Sequence, residues 1–191
     1  MNTLEIIAAR RSIRKFKSDP LPEDALRAIL TAGCQAPSGK NRQPWRFIVV
    51  GEEHRSEMVR ILRAGITKTK AEGDDPGSSE WTANIMEKAP VTVFVFNPDG
   101  IYPWLAHSID QNFTELVDTQ SIGAAIQNML LAAQELGIGS LWICDVFYAY
   151  EDLCKWLGEK GQMIAAISFG FSNEAPAARL RKPLIELVRI K

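Results

Sequence analysis

Histidine and cysteine are scarce in this chain of 191 residues. His54, His107, Cys34, Cys144 and Cys154 include no Cys-x-x-Cys pair and no cluster at metal-ligand spacing, which excludes a zinc site and a disulfide framework and leaves the metal prediction at none. Long hydrophobic runs are missing too. The longest strongly apolar stretch, Val91 to Phe96, breaks at Asn97, far short of the ~20 residues that a membrane-spanning helix needs. The first residues carry Glu5 ahead of their apolar positions and lack a signal-peptide stretch, so a cytoplasmic protein is expected. Excess charge of one sign is absent as well, the formal net charge being -1. What the chain does hold is enough apolar material for a core, 46% hydrophobic residues. At this length a compact fold buries roughly 70% of the unfolded surface. One domain over residues 1–191 is expected, with a C-terminal arm from about residue 172.

The near-zero charge conceals an uneven distribution. Residues 1–50 carry +5, residues 171–191 carry +3, and the middle carries -9. Two basic ends can converge on one anion.

Hydrophobic periodicity predicts a short helix over about residues 2–10, then a second from Pro22 to about Ala36, with Pro22 at the first helical position and Glu23 and Asp24 at the positive end of the dipole. Trp45 to Val50 reads as a strand, Glu52 to about Glu72 as a polar helix, and Gly73 to Ser79 as a loop suited to a mobile flap. Val91 to Phe96 is the best strand in the chain. A largely buried helix follows over about residues 112–136, ended by Gly137 and Gly139. Ser140 to Val146 and Gln162 to Phe169 read as strands, Tyr150 to Leu157 as a short helix, and Leu184 to Ile190 as an extended tail. Strands separated by helices in one domain mean an α/β or α+β layer architecture.

Four motifs stand out. Arg10, Arg11, Ser12, Arg14, Lys15 and Lys17 crowd cations around a hydroxyl at the end of the first helix, and planar guanidiniums suit a phosphate because they donate two parallel, charge-assisted hydrogen bonds. The segment Ala36-Pro-Ser-Gly-Lys-Asn-Arg-Gln-Pro-Trp45 is a dense polar turn able to offer donors and acceptors to a heteroaromatic edge. Asp118-Thr-Gln-Ser-Ile-Gly-Ala-Ala125 puts small residues on a buried helix, and Gly137-Ile-Gly139 lacks the third glycine of a dinucleotide fingerprint and follows a helix. Arg179, Arg181 and Lys182 form a second basic cluster near the C-terminus.

Taken in this order and spacing, the four motifs resemble the FMN-dependent nitroreductase family from about Ile6 to Val188. The diagnostic pieces are Arg-Arg-Ser-Ile-Arg-Lys-Phe, Pro-Ser-Gly-Lys-Asn-Arg-Gln-Pro-Trp, Gln127-Asn-Met-Leu-Leu-Ala-Ala133 followed by Leu-Gly-Ile-Gly, and the closing Arg-Lys-Pro-Leu. The resemblance implies an α+β, nitroreductase-like three-layer fold, a mixed and mainly antiparallel sheet flanked by helices, in an intertwined homodimer with FMN at the subunit interface. It implies that Arg10, Arg11 and Ser12 meet the phosphate and ribityl chain together with Arg181, helped by Arg179 or Lys182. Arg14 would sit by the pyrimidine edge. Pro37, Ser38, Gly39 and Asn41 would contact the FMN held mainly by the other subunit, with Gln43 to Trp45 fixing their turn. The backbone at Cys144 and Asp145 would face flavin N5. Thr82 and Asn84 both match a polar position that reaches the flavin, with Asn84 preferred. The segment 66–80, Tyr102 and Trp104 would shape the substrate roof, and Trp81 either stacks there or packs in the core.

The implied activity is a ping-pong exchange in which NADH or NADPH reduces FMN at N5 and a nitroaromatic, quinone or similar acceptor is then reduced. No side chain is required as a catalytic acid, base or nucleophile. A specialised member, such as a flavin reductase, a reductive dehalogenase-like enzyme or a flavin-fragmenting enzyme, is a second reading. A non-enzymatic nucleic-acid or regulatory binding module is a third, and the absence of an RRM, zinc-finger or helix-turn-helix signature counts against it.

Overall fold

The computed structural model describes residues 2–191. Helix α1, Thr3–Ala9, starts at a capping box: the Asn2 side chain accepts from the Glu5 N–H and the Glu5 carboxylate accepts from the Asn2 N–H. This satisfies two amide donors that helix geometry leaves without partners. At Arg10 the backbone turns extended. Helix α2, Glu23–Cys34, uses Pro22 as its N-cap, so it begins one residue later than the sequence pattern suggests. A 3-10 turn, Gly39–Asn41, leads to strand β1, Arg46–Val50.

Helices α3, Glu52–Ala71, and α4, Ser79–Lys88, follow. The turn between them is bridged by Lys70 Nζ and Glu80 Oε1 at 3.0 Å. Helix α4 was hidden in sequence because its only strong apolar positions, Ile85 and Met86, adjoin the strand that comes next. Then come β2, Val91–Asn97, the long helix α5, Ile109–Glu135, β3, Gly139–Ile143, α6, Tyr150–Leu157, β4, Gln162–Gly170, and the single turn α7, Leu184–Leu187.

Two expectations need correction. The tail from Leu184 is helical for one turn, because the Pro183 ring fixes φ at -57°, close to the helical value, and Leu and Glu favour helix. Strand β3 stops at Ile143, three residues early. Cys144 bends into helical geometry and Asp145–Ala149 forms a 3-10 segment that turns Val146 and Ala149 inward.

The sheet runs β1-β2-β4-β3 with every neighbouring pair antiparallel. A parallel bridge from Ser12 to Ser140 makes the arrangement mixed. Alternation sends Val93, Val95, Ala165, Ile167 and Phe169 toward α2 and α5, and Phe94, Phe96, Leu141, Ile143 and Ala166 toward α3, α4 and α6. The result is a three-layer α+β fold. Each large side chain fully buried in this way contributes about 1.5–3 kcal/mol relative to exposure. The polar cross-strand pair Thr92 and Ser168 is tolerated in the interior because the two hydroxyls hydrogen-bond each other at 2.9 Å.

The segment after α1 is tied to the same sheet. The Ile13 N–H donates to Ser140 O, Lys17 N–H to Phe171 O, and Asn173 N–H to Lys15 O. Ile13 is buried, and its neighbours Ser12 and Arg14, on the other side of the chain, are partly exposed on a fixed backbone. No helix among the described residues is long and apolar enough to cross a membrane.

Candidate functional site

The sheet anchors bring the two basic ends together. A cleft of about 510 Å³ is lined by Arg10, Arg11, Ser12 and Arg14 from one end and by Pro176, Ala178, Arg179 and Arg181 from the other, with Ile7 and Ala8 of α1 on its wall. Five arginines line it and no carboxylate does. Burial, and then the like charges of Arg181 and Arg11, lower the proton affinity of Arg10. A cationic cluster lined by no carboxylate suits an anion.

The arginines are not equivalent. Arg11 Nη1 folds back onto the carbonyls of Ala8, Ala9 and Arg10 at 2.7–2.9 Å, where it satisfies the open C-terminal end of α1. Arg14 Nη1 donates to Ser12 O at 3.1 Å, and its backbone N–H donates to Glu174. Its guanidinium lies 5.6 Å from the centre of the Trp81 ring, within cation–π range. Trp81 is half exposed, so it belongs to this surface and not to the core. Lys182 lies outside the cleft lining.

The polar turn after α2 sits elsewhere, against α5. Ser38 Oγ accepts from the Gln43 N–H at 3.0 Å, and the Trp45 N–H donates to Gln43 O at 2.8 Å. Lys40, Asn41 and Gln43 all have positive φ, between 52° and 54°. Asparagine tolerates that region, whereas Lys40 and Gln43 each cost about 1 kcal/mol or more there. Such backbone persists only where neighbours hold it. Here the Gly39 N–H donates to Ser121 Oγ at 3.2 Å, and Arg42 Nη2 meets Asp118 Oδ2 at 3.2 Å. A side chain at Gly39 would strike Val117 Cγ1 at 2.5 Å. Pro37, Ser38, Gly39 and Asn41 are therefore presented as one rigid unit, distinct from the arginine cleft.

At the end of β3, Cys144 is exposed and burial of its surroundings raises its thiol pKa, with the Asp145 charge adding to the shift. That environment disfavours a thiolate nucleophile. The Asp145 carboxylate accepts from Thr82 Oγ1 at 2.5 Å. Asn84 is engaged differently: its Oδ1 accepts from Arg63 Nη2 at 2.8 Å. The structure thus joins Thr82 to the Cys144-Asp145 corner and Asn84 to α3. Phe147 and Tyr150, just after this corner in sequence, form an aromatic group with Tyr102 and Trp104, ring centres 4.9–6.1 Å apart, Tyr102–Trp104 tilted and the other pairs edge-to-face. Trp104 and Phe147 remain half exposed.

A model of the Nitroreductase family matches residues 7–171. The chain belongs to the nitroreductase family. YfhC of Bacillus subtilis, provisionally named an NAD(P)H nitroreductase, is 27% identical over 183 residues, covering 94% of this chain and 89% of its own. A provisionally assigned nitroreductase from Desulfovibrio desulfuricans, solved in complex with FMN, is 30% identical with a TM-score of 0.78, covering 100% of this chain and 97% of that one. A BluB-like flavoprotein from Clostridium difficile 630 is 27% identical with a TM-score of 0.81, over 100% and 99% of the two chains.

For this nitroreductase-family chain, sequence reading quoted Arg42, Asp118 and Ser121 within two motifs but missed that they, with Val117, hold the polar turn against α5. A signal was present. An aspartate inside an otherwise apolar helical stripe is rarely buried without a partner, and Arg42 lay among the cations of the quoted motifs.

Proposed function

We propose that the protein is an FMN-dependent oxidoreductase that draws electrons from NADH or NADPH and delivers them to nitroaromatics, quinones or similar acceptors. The observation that carries this reading is the cleft of five arginines and Ser12 with no acid in its lining. A dianionic phosphate ester fits that donor set in charge and in hydrogen-bond type. The FMN-bound relative from Desulfovibrio desulfuricans and the NAD(P)H nitroreductase name of the Bacillus subtilis relative support it.

When bound, FMN supplies the hydride chemistry, taken up from the nicotinamide and passed on in a ping-pong exchange. The chain's own residues bind and orient. Arg10, Ser12, Arg181 and Arg179 hold the phosphate end, with Lys182 beside them. Arg11 closes α1 and keeps Arg10 and Ser12 in register. Arg14, fixed by Ser12 O and the Trp81 face, brings a positive charge to the pyrimidine edge, where negative charge develops on reduction. Cys144 and Asp145 offer backbone at the ring, and Asn84 or Thr82 a polar contact. Pro37, Ser38, Gly39 and Asn41 reach across to the flavin of a second subunit, which makes a homodimer the working unit. Trp104 and Phe147 offer apolar faces that suit planar acceptors and displace water. Residues 1–191 act as one FMN-binding domain with its arm from about residue 172, in the cytoplasm.

The test is the visible spectrum of purified protein, followed by anaerobic NADPH or NADH and then a nitroaromatic or quinone. A yellow protein that bleaches with a nicotinamide and regains its colour with the acceptor is the expected result. Colourless protein that quenches no flavin fluorescence after incubation with excess FMN would overturn the proposal.

A further inference from the structure

Among the described residues, Asp118 is the only buried Asp, Glu, Lys or Arg. It lies on α5 with its side chain 2% exposed, Oδ2 bound to Arg42 and Oδ1 without a hydrogen-bond partner. A buried pair of this kind adds little to stability, because desolvation offsets the attraction. Its geometry has a different consequence. Val117, Asp118 and Ser121 occupy one face of α5 and grip the same turn at three points: the open space at Gly39, the Arg42 guanidinium and the Gly39 N–H. Between the last two grips lie Lys40 and Asn41, both in the left-handed region. Without the Arg42 anchor that backbone is free to relax to ordinary φ, and Ser38 and Asn41 would move with it.

We propose that Asp118 is a positioning residue for cofactor binding, acting through Arg42 to hold the Ser38–Asn41 turn in its flavin-contacting conformation. This rests on the FMN reading above. Its effect is transmitted through the ion pair with Arg42 at 3.2 Å, which Asp99 approaches only at 4.0 Å. The charged groups around it are Arg42 from the turn, Asp99 from the loop after β2, and Glu115 one turn back on α5, itself paired with His107 at 3.2 Å. Asn97 of β2, fully buried, faces it from the sheet. Burial raises the Asp118 carboxyl above the usual range while Arg42 opposes the shift, so acidification removes the charge that holds Arg42.

The experiment titrates FMN into flavin-free protein and follows fluorescence quenching for wild type, Asp118→Asn, Arg42→Gln and the double variant. Each single change should weaken FMN about tenfold, and the double variant should be no weaker than either single, as for two groups acting as one unit. Wild-type affinity should fall on acidification along a limb that Asp118→Asn lacks. FMN bound at wild-type affinity by both single variants would overturn the clamp while leaving the FMN reading intact, and so would fully additive losses. Failure of wild type to bind FMN at all would instead strike at the cofactor reading. If Asp118→Asn does not fold, Arg42→Gln decides alone, since that side chain is 41% exposed: unchanged affinity overturns the proposal and a tenfold loss supports it.

Discussion

At the residue scale, position matters more than charge count. Arg10 and Arg11 are adjacent in sequence, yet Arg10 lies partly buried among like charges in the cleft, while Arg11 spends Nη1 on the carbonyls ending α1. Losing one partner of a desolvated charge pair costs about 2–5 kcal/mol, and ~1.4 kcal/mol is a factor of ten. Arg10→Ala should therefore weaken FMN at least about tenfold in a fluorescence titration, with an unchanged far-UV spectrum. Unaltered affinity in that variant would make Arg10 a surface charge only. Asp118 gives a second residue-level expectation, with the opposite sign from the usual salt bridge. Its carboxyl binds a proton more readily in the folded chain than in the unfolded one, because burial outweighs Arg42. Ionised Asp118 thus costs stability at neutral pH, and the cost disappears as pH falls below the unfolded carboxyl value of about 3.9. Asp118→Asn should hold or raise the urea midpoint at pH 7, with the difference from wild type shrinking toward acid. A lower midpoint at pH 7 would mean that the pair is a net stabiliser. Sequence made the arginines visible because they are clustered along the chain. It did not reveal Asp118 and Arg42, because a pair separated by 76 positions has no local pattern.

At the scale of elements, periodicity located what packs and missed what bends. Helices α2, α3 and α5 and strands β1, β2 and β4 repeat apolar residues at their own period, so their existence was legible. The early end of β3 was not, because Cys144-Asp-Val-Phe continues the alternating pattern while tertiary contacts, Thr82 on Asp145 and Val146 packed inward, turn the chain away. Helix α4 and the turn α7 are short, and short elements carry too few repeats to declare a period. Close approach between elements is equally silent in sequence, and Gly65 illustrates it. It sits inside α3, where glycine costs roughly 1 kcal/mol against alanine, so propensity alone argues for Gly65→Ala. The structure argues against it: a Cβ there would collide with the backbone carbonyl of Tyr148 and with Ala149 Cα at 2.7 Å. Backbone cannot swing aside as a flexible side chain can, and overpacking costs typically 1–3 kcal/mol. The collision exceeds the propensity gain. Gly65→Ala should lower the urea midpoint and the melting temperature, and a stabilised variant would show that α3 and the 145–149 segment can separate without penalty.

At the scale of the whole molecule, the distribution of exposed apolar surface bears on the proposed homodimer. Leu4 and Ile7 on α1, Ile109, Phe113 and Leu116 on α5, and Leu180, Leu184, Ile185, Leu187, Val188 and Ile190 on the arm are all at least half exposed. Single exposed leucines are ordinary, but three elements each presenting a run of them mark an association surface. From Ala177 onward the arm, α7 included, is exposed throughout in its own chain, so folding alone does not explain its composition. The polar turn points to the same conclusion from the chemistry, since Ser38 and Asn41 are presented rigidly yet stand apart from the arginine cleft of their own chain. A dimer resolves both facts if the arm covers the partner while the turn completes the neighbouring site. Replacing Leu184 and Ile185 together with aspartate leaves Arg179 and Arg181 untouched and puts charge into that contact. Sedimentation velocity at micromolar concentration should then shift from dimer to monomer, and FMN should bind more weakly although every arginine of the cleft is present. A variant that remains dimeric with full FMN affinity would remove the arm from the interface and leave the α1 and α5 surfaces to account for association.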